Sequence, residues 1–279
     1  MEQQKWTTKT TTITATTTRT TRMKMLVVQL LLSSLDQYQQ LHNDVDSTSV
    51  TATSTASEEC MTLLKTQVHL VLTLQQQVTI LSQLKHHSVI ENMEEWNLPL
   101  IALLSWHGNH SMQPQFTAAH HSARLKVIQS AATTLSILIP IMGPAFYNQQ
   151  YIWLNSILTC CKIFSSSFSL HQNSLERGID CQISLLRLIQ ILFAIPIQND
   201  NPMAIKLLKD NHVVATIVAT CIDTITPEEL IEQRHKDTNH SIEALITLDT
   251  LMDAFPRQQE QQQLWQQLFP GCFVVRQPL

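Results

Sequence analysis

Residues 201–230, NPMAIKLLKDNHVVATIVATCIDTITPEEL, place three helix signals and two breaks in thirty positions, and this density constrains the fold more than any other feature of the chain. Asn201 offers an acceptor to the orphan amides of a helix whose first position is Pro202, where a missing N–H costs nothing. Asp210 and Asn211 favour local side-chain to backbone hydrogen bonds over continued helix. From His212 the apolar residues Val213, Val214, Ile217, Val218, Cys221, Ile222 and Ile225 recur at three and four positions, which is helical spacing rather than strand alternation. Thr226-Pro227-Glu228-Glu229 then supplies an N-cap, a proline in the first turn and a glutamate at the third position, so another helix begins at once.

The same period governs most of the chain from Ser57 onward. It predicts helices over 57–87 with a break near 75, then 89–106, 116–139, 146–165, 174–194, 202–209, 212–225, 227–235, 240–255 and 259–268. Only 4 glycines occur in 279 residues, scattered at 108, 143, 178 and 271, so no glycine-rich loop can bring backbone amides against a phosphate. Hairpin signals of the Asn-Gly or Asp-Gly kind are missing as well. The expected class is all-α. Three stretches, 131–147, 152–170 and 183–197, are apolar enough to raise the question of a membrane. They are interrupted by Pro140, Gly143 and Pro144, by Lys162, and by Arg187 and Gln190, so inner helices of a layered protein are expected rather than a span.

Charge bears on partners. With 18 Lys and Arg against 22 Asp and Glu there is no basic surplus to neutralise nucleic-acid phosphates. Between Glu95 and Glu176 the sequence holds no carboxylate at all, while Glu228, Glu229, Glu232, Asp237, Glu243, Asp249, Asp253 and Glu260 crowd the C-terminal part. A basic protein segment docking on that acidic part is the expected kind of charged partner, a solvated acidic face being the plain alternative. The 6 cysteines, at 60, 160, 161, 181, 221 and 272, match neither a zinc ribbon nor a secreted disulfide framework. Cys160 and Cys161 are adjacent and point to different sides of a helix. Free buried thiols, and hence a reducing compartment, cytoplasmic or nuclear, are expected.

The first 55 residues read differently. MEQQKWTTKTTTITATTTRTTRMKM is threonine-rich and too poor in apolar residues to order itself, so a disordered arm is expected, carrying one helix over 26–41 on a loose tether. Its Lys5, Lys9, Arg19, Arg22 and Lys24 raise a mitochondrial transit segment, against which stands the lack of an apolar helical face. A helical domain over 56–279 follows.

Within that domain, the long helix ISLLRLIQILFAI, the polar break QNDNP, the short helix MAIKLLKD, a turn at Asn211 and the helix VVATIVATCIDT resemble an armadillo-type repeat. A similar unit follows with IEALITLDTLMDAF and EQQQLWQQLF, so the resemblance covers residues 183–269, about a third of the chain. It implies an armadillo/HEAT-like α-solenoid with an interaction groove and no chemistry of its own. Armadillo proteins that bind nuclear-localisation peptides place a Trp and an Asn four residues apart on the inner helix. Here Trp153 and Asn155 are only two apart, so import-receptor function is not implied. The residues assigned to a partner on this reading are Trp153, Asn211, His212, Arg257 and Trp265, with tryptophan and arginine favoured because they dominate binding hot spots.

The sharpest enzyme-like feature is His107-Gly108-Asn109-His110 with His120-His121 ten residues on. Imidazoles at that spacing raise a zinc hydrolase as the rival class, with a membrane-associated helical protein as a third. No carboxylate lies in the region to act as ligand, outer-shell partner or general base, so the segment reads as an inter-helix loop with surface histidines. Neither a catalytic set nor a metal or other cofactor is expected, and the function expected is that of a non-enzymatic adaptor or scaffold.

Overall fold

A computed structural model of the chain describes residues 25–43, 53–84, 94–110, 116–143, 152–166, 172–198, 211–225 and 239–253. Every regular element among them is helical: α1 (residues 25–43), α2 (Thr53–Leu84), α3 (Glu94–Asn109), α4 (Ala118–Met142), α5 (Ile152–Ser166), α6 (Gln172–Gln198), α7 (Asn211–Ile225) and α8 (Asn239–Asp253). The all-α expectation is met, and seven of these helices overlap the positions read from apolar spacing after Ser57. The expected break near 75 is absent, since α2 runs unbroken for 32 residues, about 48 Å at 1.5 Å per residue. The threonine-rich arm and the helices expected over 202–209, 227–235 and 259–268 lie outside the described residues.

A chain so rich in threonine and serine forms helices because the hydroxyls are satisfied locally. Thr62, Thr66, Thr73 and Thr79 in α2 each donate to the carbonyl one turn back, as do Ser130, Thr133, Thr134 and Ser136 in α4. The hydroxyl thus stops competing for the backbone elsewhere, and residues that favour caps and turns sit in helix interiors at little cost. Pro140 lies in the last turn of α4, which continues to Met142 and closes at Gly143, whose φ of 53° suits glycine.

The helices pack in two rows. In one, α2 lies along α4, α4 along α6 and α6 along α8; in the other, α3 lies along α5 and α5 along α7. Contacts of α3 with α4, α5 with α6 and α7 with α8 join the rows. In the first row Ser57 near the start of α2 meets His120 in the first turn of α4, and in the second Cys160 of α5 donates to the carbonyl of Leu104 of α3, at 3.1 Å. Helix α1 packs on both rows, with Gln67 of α2 donating to its Ser34 carbonyl and Tyr38 near its end packed on His107 near the end of α3.

One continuous core runs between the rows. Helix α1 buries Val27, Leu31, Leu35 and Tyr38 in it, so the helix expected on a loose tether shares the core of the helices that follow. Helix α4 is buried on most of its circumference, as a helix packed on α2, α3 and α6 must be. It is the one described helix long and apolar enough to cross a membrane by length and composition, and most of its apolar window is buried between its neighbours. Cys160 and Cys161 show the layering in one step: Cys160 faces α3, Cys161 makes its hydrogen bond with Thr220 of α7, and both are fully buried. Cys60, Cys181 and Cys221 are likewise free and buried.

Candidate functional site

The histidines singled out by their spacing meet where α1, α2, α3 and α4 converge. They are not on a surface loop, which corrects the sequence reading. His107 is 1% exposed, and His42, His120 and His121 are buried as well. Partners far away in sequence account for this. His107 Nε2 donates to Gln67 Oε1 at 3.0 Å, while Gln67 Nε2 donates to the Ser34 carbonyl of α1 at 3.3 Å. The amide of Gln67, itself fully buried, therefore ties three helices together and fixes which imidazole nitrogen carries the proton.

His120 works as a capping residue. Its Nδ1 accepts from the Thr117 N–H at 3.3 Å and lies 2.8 Å from the Thr117 hydroxyl, filling the place that Glu or Gln takes in a capping box. Its Nε2 then donates to the Ser57 carbonyl at 2.8 Å, locking the start of α4 to the start of α2. His110 Nδ1 donates to the Trp106 carbonyl at 3.0 Å, and the two rings stack with centroids 3.4 Å apart. Tyr38 and His42 of α1 complete an aromatic seam, His42 lying about 6 Å from the rings of Trp106, His110 and Phe116.

Arg124 stands at the centre with 5% exposure. Its guanidinium donates to the carbonyls of His107 and His110 at the end of α3, including Nε to His107 at 3.0 Å. A helix C-terminus carries about half a negative charge and unsatisfied carbonyls, so the arginine caps it. Burial together with the Arg124 charge, and with smaller contributions from His110 and His42, holds the His107 imidazole well below its usual range. Burial and Arg124 lower His121 too. Each of His107, His110 and His120 is committed to a protein partner, and among the described residues no three metal-ligating side chains converge. The constellation suits holding four helices together.

The thiols sit in similarly dry surroundings. Burial pushes Cys161 and Cys221 up to about 12 and Cys60 up to about 11, which keeps them from the thiolate form that a nucleophile needs.

Of the expected partner-binding residues, Trp153 lies in the first turn of α5, and Asn211 and His212 open α7, while Arg257 and Trp265 lie outside the described residues. The acidic C-terminal part divides in two. Glu243 is held within the protein: Arg187 of α6 donates to its Oε1 at 2.7 Å, and Gln190 bridges its carbonyl, its Oε2 and the Thr247 hydroxyl. Asp249 and Asp253 are exposed and continue an outward stripe of α8 at spacings of four, three and four, Ile242, Ile246, Asp249 and Asp253, flanked by Leu245. Ile242, Leu245 and Ile246 are 49%, 56% and 44% exposed, a surface that the apolar count of the segment alone would have placed in the core. The signal for it was the helical register of the two aspartates with two isoleucines.

No protein-family model, curated protein or solved structure matches the chain.

Proposed function

We propose that the chain is a non-enzymatic adaptor, an armadillo/HEAT-like α-solenoid that docks a basic protein segment on its acidic C-terminal part. The observation that carries this reading is the two-row packing, in which each helix lies along its next-but-one neighbour, the arrangement that extends by adding helices and leaves faces free along its length. The histidines flagged for chemistry support it by serving as caps and inter-helix ties. The occupant that fits α8 is an amphipathic helix with apolar anchors one turn from lysine or arginine, matching Ile242, Leu245 and Ile246 with Asp249 and Asp253. The acidic balance of the chain disfavours nucleic acid as partner. Free buried thiols suit a reducing compartment, cytoplasmic or nuclear, and on this reading α4 is a core helix rather than a membrane span.

Fluorescence anisotropy with a labelled Leu/Lys amphipathic peptide and its Leu/Glu counterpart tests the proposal on the full chain. Binding of the lysine peptide only, weakened about 10-fold by Asp249→Lys with Asp253→Lys, is the expected result, since reversing two rim charges is worth roughly 1–2 kcal/mol. Equal binding of both peptides, or an affinity that ignores the double variant, refutes it.

A further inference from the structure

We propose that the seam between α1 and the α2–α3 pair is an acid-sensitive latch, in which proton uptake at His107 releases helix α1. The geometry supplies both halves of such a device. Helix α1 is held through one face, Val27, Leu31, Leu35, Tyr38 and His42, with Gln67 of α2 donating to its Ser34 carbonyl. His107 stands directly beneath, its ring 5.4 Å from that of Tyr38 and its Nε2 on the same Gln67.

The titratable and charged groups around His107 leave a second proton nowhere to go. From α1 come Tyr38 and His42, and from α2 comes Cys60, which adds to burial in raising the Tyr38 phenol. His110 lies just past the end of α3, and Arg124 comes from α4, with His121 of α4 and Cys160 of α5 acting on Arg124 in turn. Among the described residues none of these groups is a carboxylate. The C-terminal carbonyls of α3, which would favour an imidazolium, are already taken by Arg124. A protonated His107 in the docked state is thus a buried cation beside a buried guanidinium, whereas lifting α1 opens it to water. The imidazole is depressed when docked and ordinary when released, so docking is fully favoured above about pH 6.5 and is lost as pH falls below it. With the ordinary value near 6.5, one histidine that takes up its proton only on release raises the released fraction by up to about 25-fold between pH 7 and pH 5.

Cys60 reports the release. It lies on the stripe Cys60, Leu64, Gln67, Val71 that α2 turns toward α1, and it is fully buried. Cys181, buried in α6, is the reference for opening of the whole molecule. The full chain is pulsed with 4,4′-dithiodipyridine, which reacts in acid, and labelling at the two cysteines is compared by peptide mass spectrometry. The Cys60 to Cys181 ratio is expected to rise about 10- to 25-fold from pH 7 to pH 5 in the wild type, and less than about 2-fold in His107→Gln, whose amide can still donate to Gln67. A flat ratio, a rise shared equally by Cys181, or an undiminished rise in His107→Gln overturns the latch. Hydrogen exchange on the wild type gives a readout that needs no variant. Protection of the α1 peptide 26–41 must fall relative to the α6 peptide 182–193 on acidification, and unchanged relative protection overturns the proposal equally.

Discussion

Replacing Arg124 with methionine isolates the balance at the junction of α1, α3 and α4. The substitution keeps an unbranched, apolar stem, ends short of where the guanidinium sits, and removes the donors to the carbonyls of His107 and His110. Two opposing terms are in play. Arg124 is 5% exposed and, among the described residues, no carboxylate lies against it, so desolvation of its guanidinium costs several kcal/mol, which methionine recovers. Against that, a hydrogen bond from a charged donor is worth about 1.5–3 kcal/mol, and two buried carbonyls at a helix end are left without partners at about 1–3 kcal/mol each. Only one side of the interaction is removed, and that case is destabilising. A net loss of about 3 kcal/mol is expected, or roughly 6–12 °C in Tm for a chain of this size. Arg124→Lys, with a point charge that cannot fork to both carbonyls, should lose about half as much. Denaturant and thermal unfolding of the three proteins at pH 7.5 measure the difference. A methionine variant as stable as the wild type would refute the cap and show that the buried guanidinium is a burden.

The two helical glycines described should respond in opposite directions. A Cβ on Gly108 meets Cys160 Sγ at 3.0 Å and Cys160 N at 3.2 Å, so Gly108→Val should separate α3 from α5 and cost about 1–3 kcal/mol, whereas Gly178→Ala, with nothing within 4 Å, should gain about 0.5–1 kcal/mol in the same unfolding assay. Leu104→Ala, at a fully buried position, should cost about 2–5 kcal/mol by denaturant titration, against less than about 0.5 kcal/mol for Leu98→Ala, which is 62% exposed. Cys60, Cys160, Cys161, Cys181 and Cys221 should resist maleimide at pH 7.5 in the native protein and react within minutes in 6 M guanidinium, followed peptide by peptide. Labelling of Cys161 or Cys221 at native rates would contradict the raised thiols.

Helices were legible in the sequence because a core-facing stripe repeats at three and four residues whatever it packs against. Val213, Val214, Ile217, Val218 and Cys221 are read as one face and are buried as one face. Burial of a polar residue is not local in this sense. His107, Gln67 and Ser34 are 40 and 33 residues apart in sequence, and nothing near His107 announces the glutamine that satisfies it. Arg124 was invisible for the same reason, since its partners are backbone carbonyls, which every residue type supplies. The expected break near 75 failed because Gln75 lends its carbonyl to the Thr79 hydroxyl inside an unbroken helix, so polar residues there mark no turn. On α8 the acidic count was visible, but which carboxylates face outward was decided by α6, where Arg187 and Gln190 take Glu243 and leave Asp249 and Asp253 free to solvent.

The claim on which the rest depends is that the helices form rows that extend, and distances along one row test it most directly. Spin labels introduced as non-natural amino acids at the exposed positions Lys65 of α2, Lys126 of α4, Asp180 of α6 and Leu245 of α8 give pairwise separations by pulsed dipolar resonance. At about 8–10 Å per helix spacing, the distance from Lys65 to Leu245 should exceed that from Lys65 to Lys126 by roughly 16–20 Å, with Asp180 falling between. If the first and last helices of the row prove as close as immediate neighbours, the chain is a closed bundle, and the extended surface proposed for partner binding does not exist.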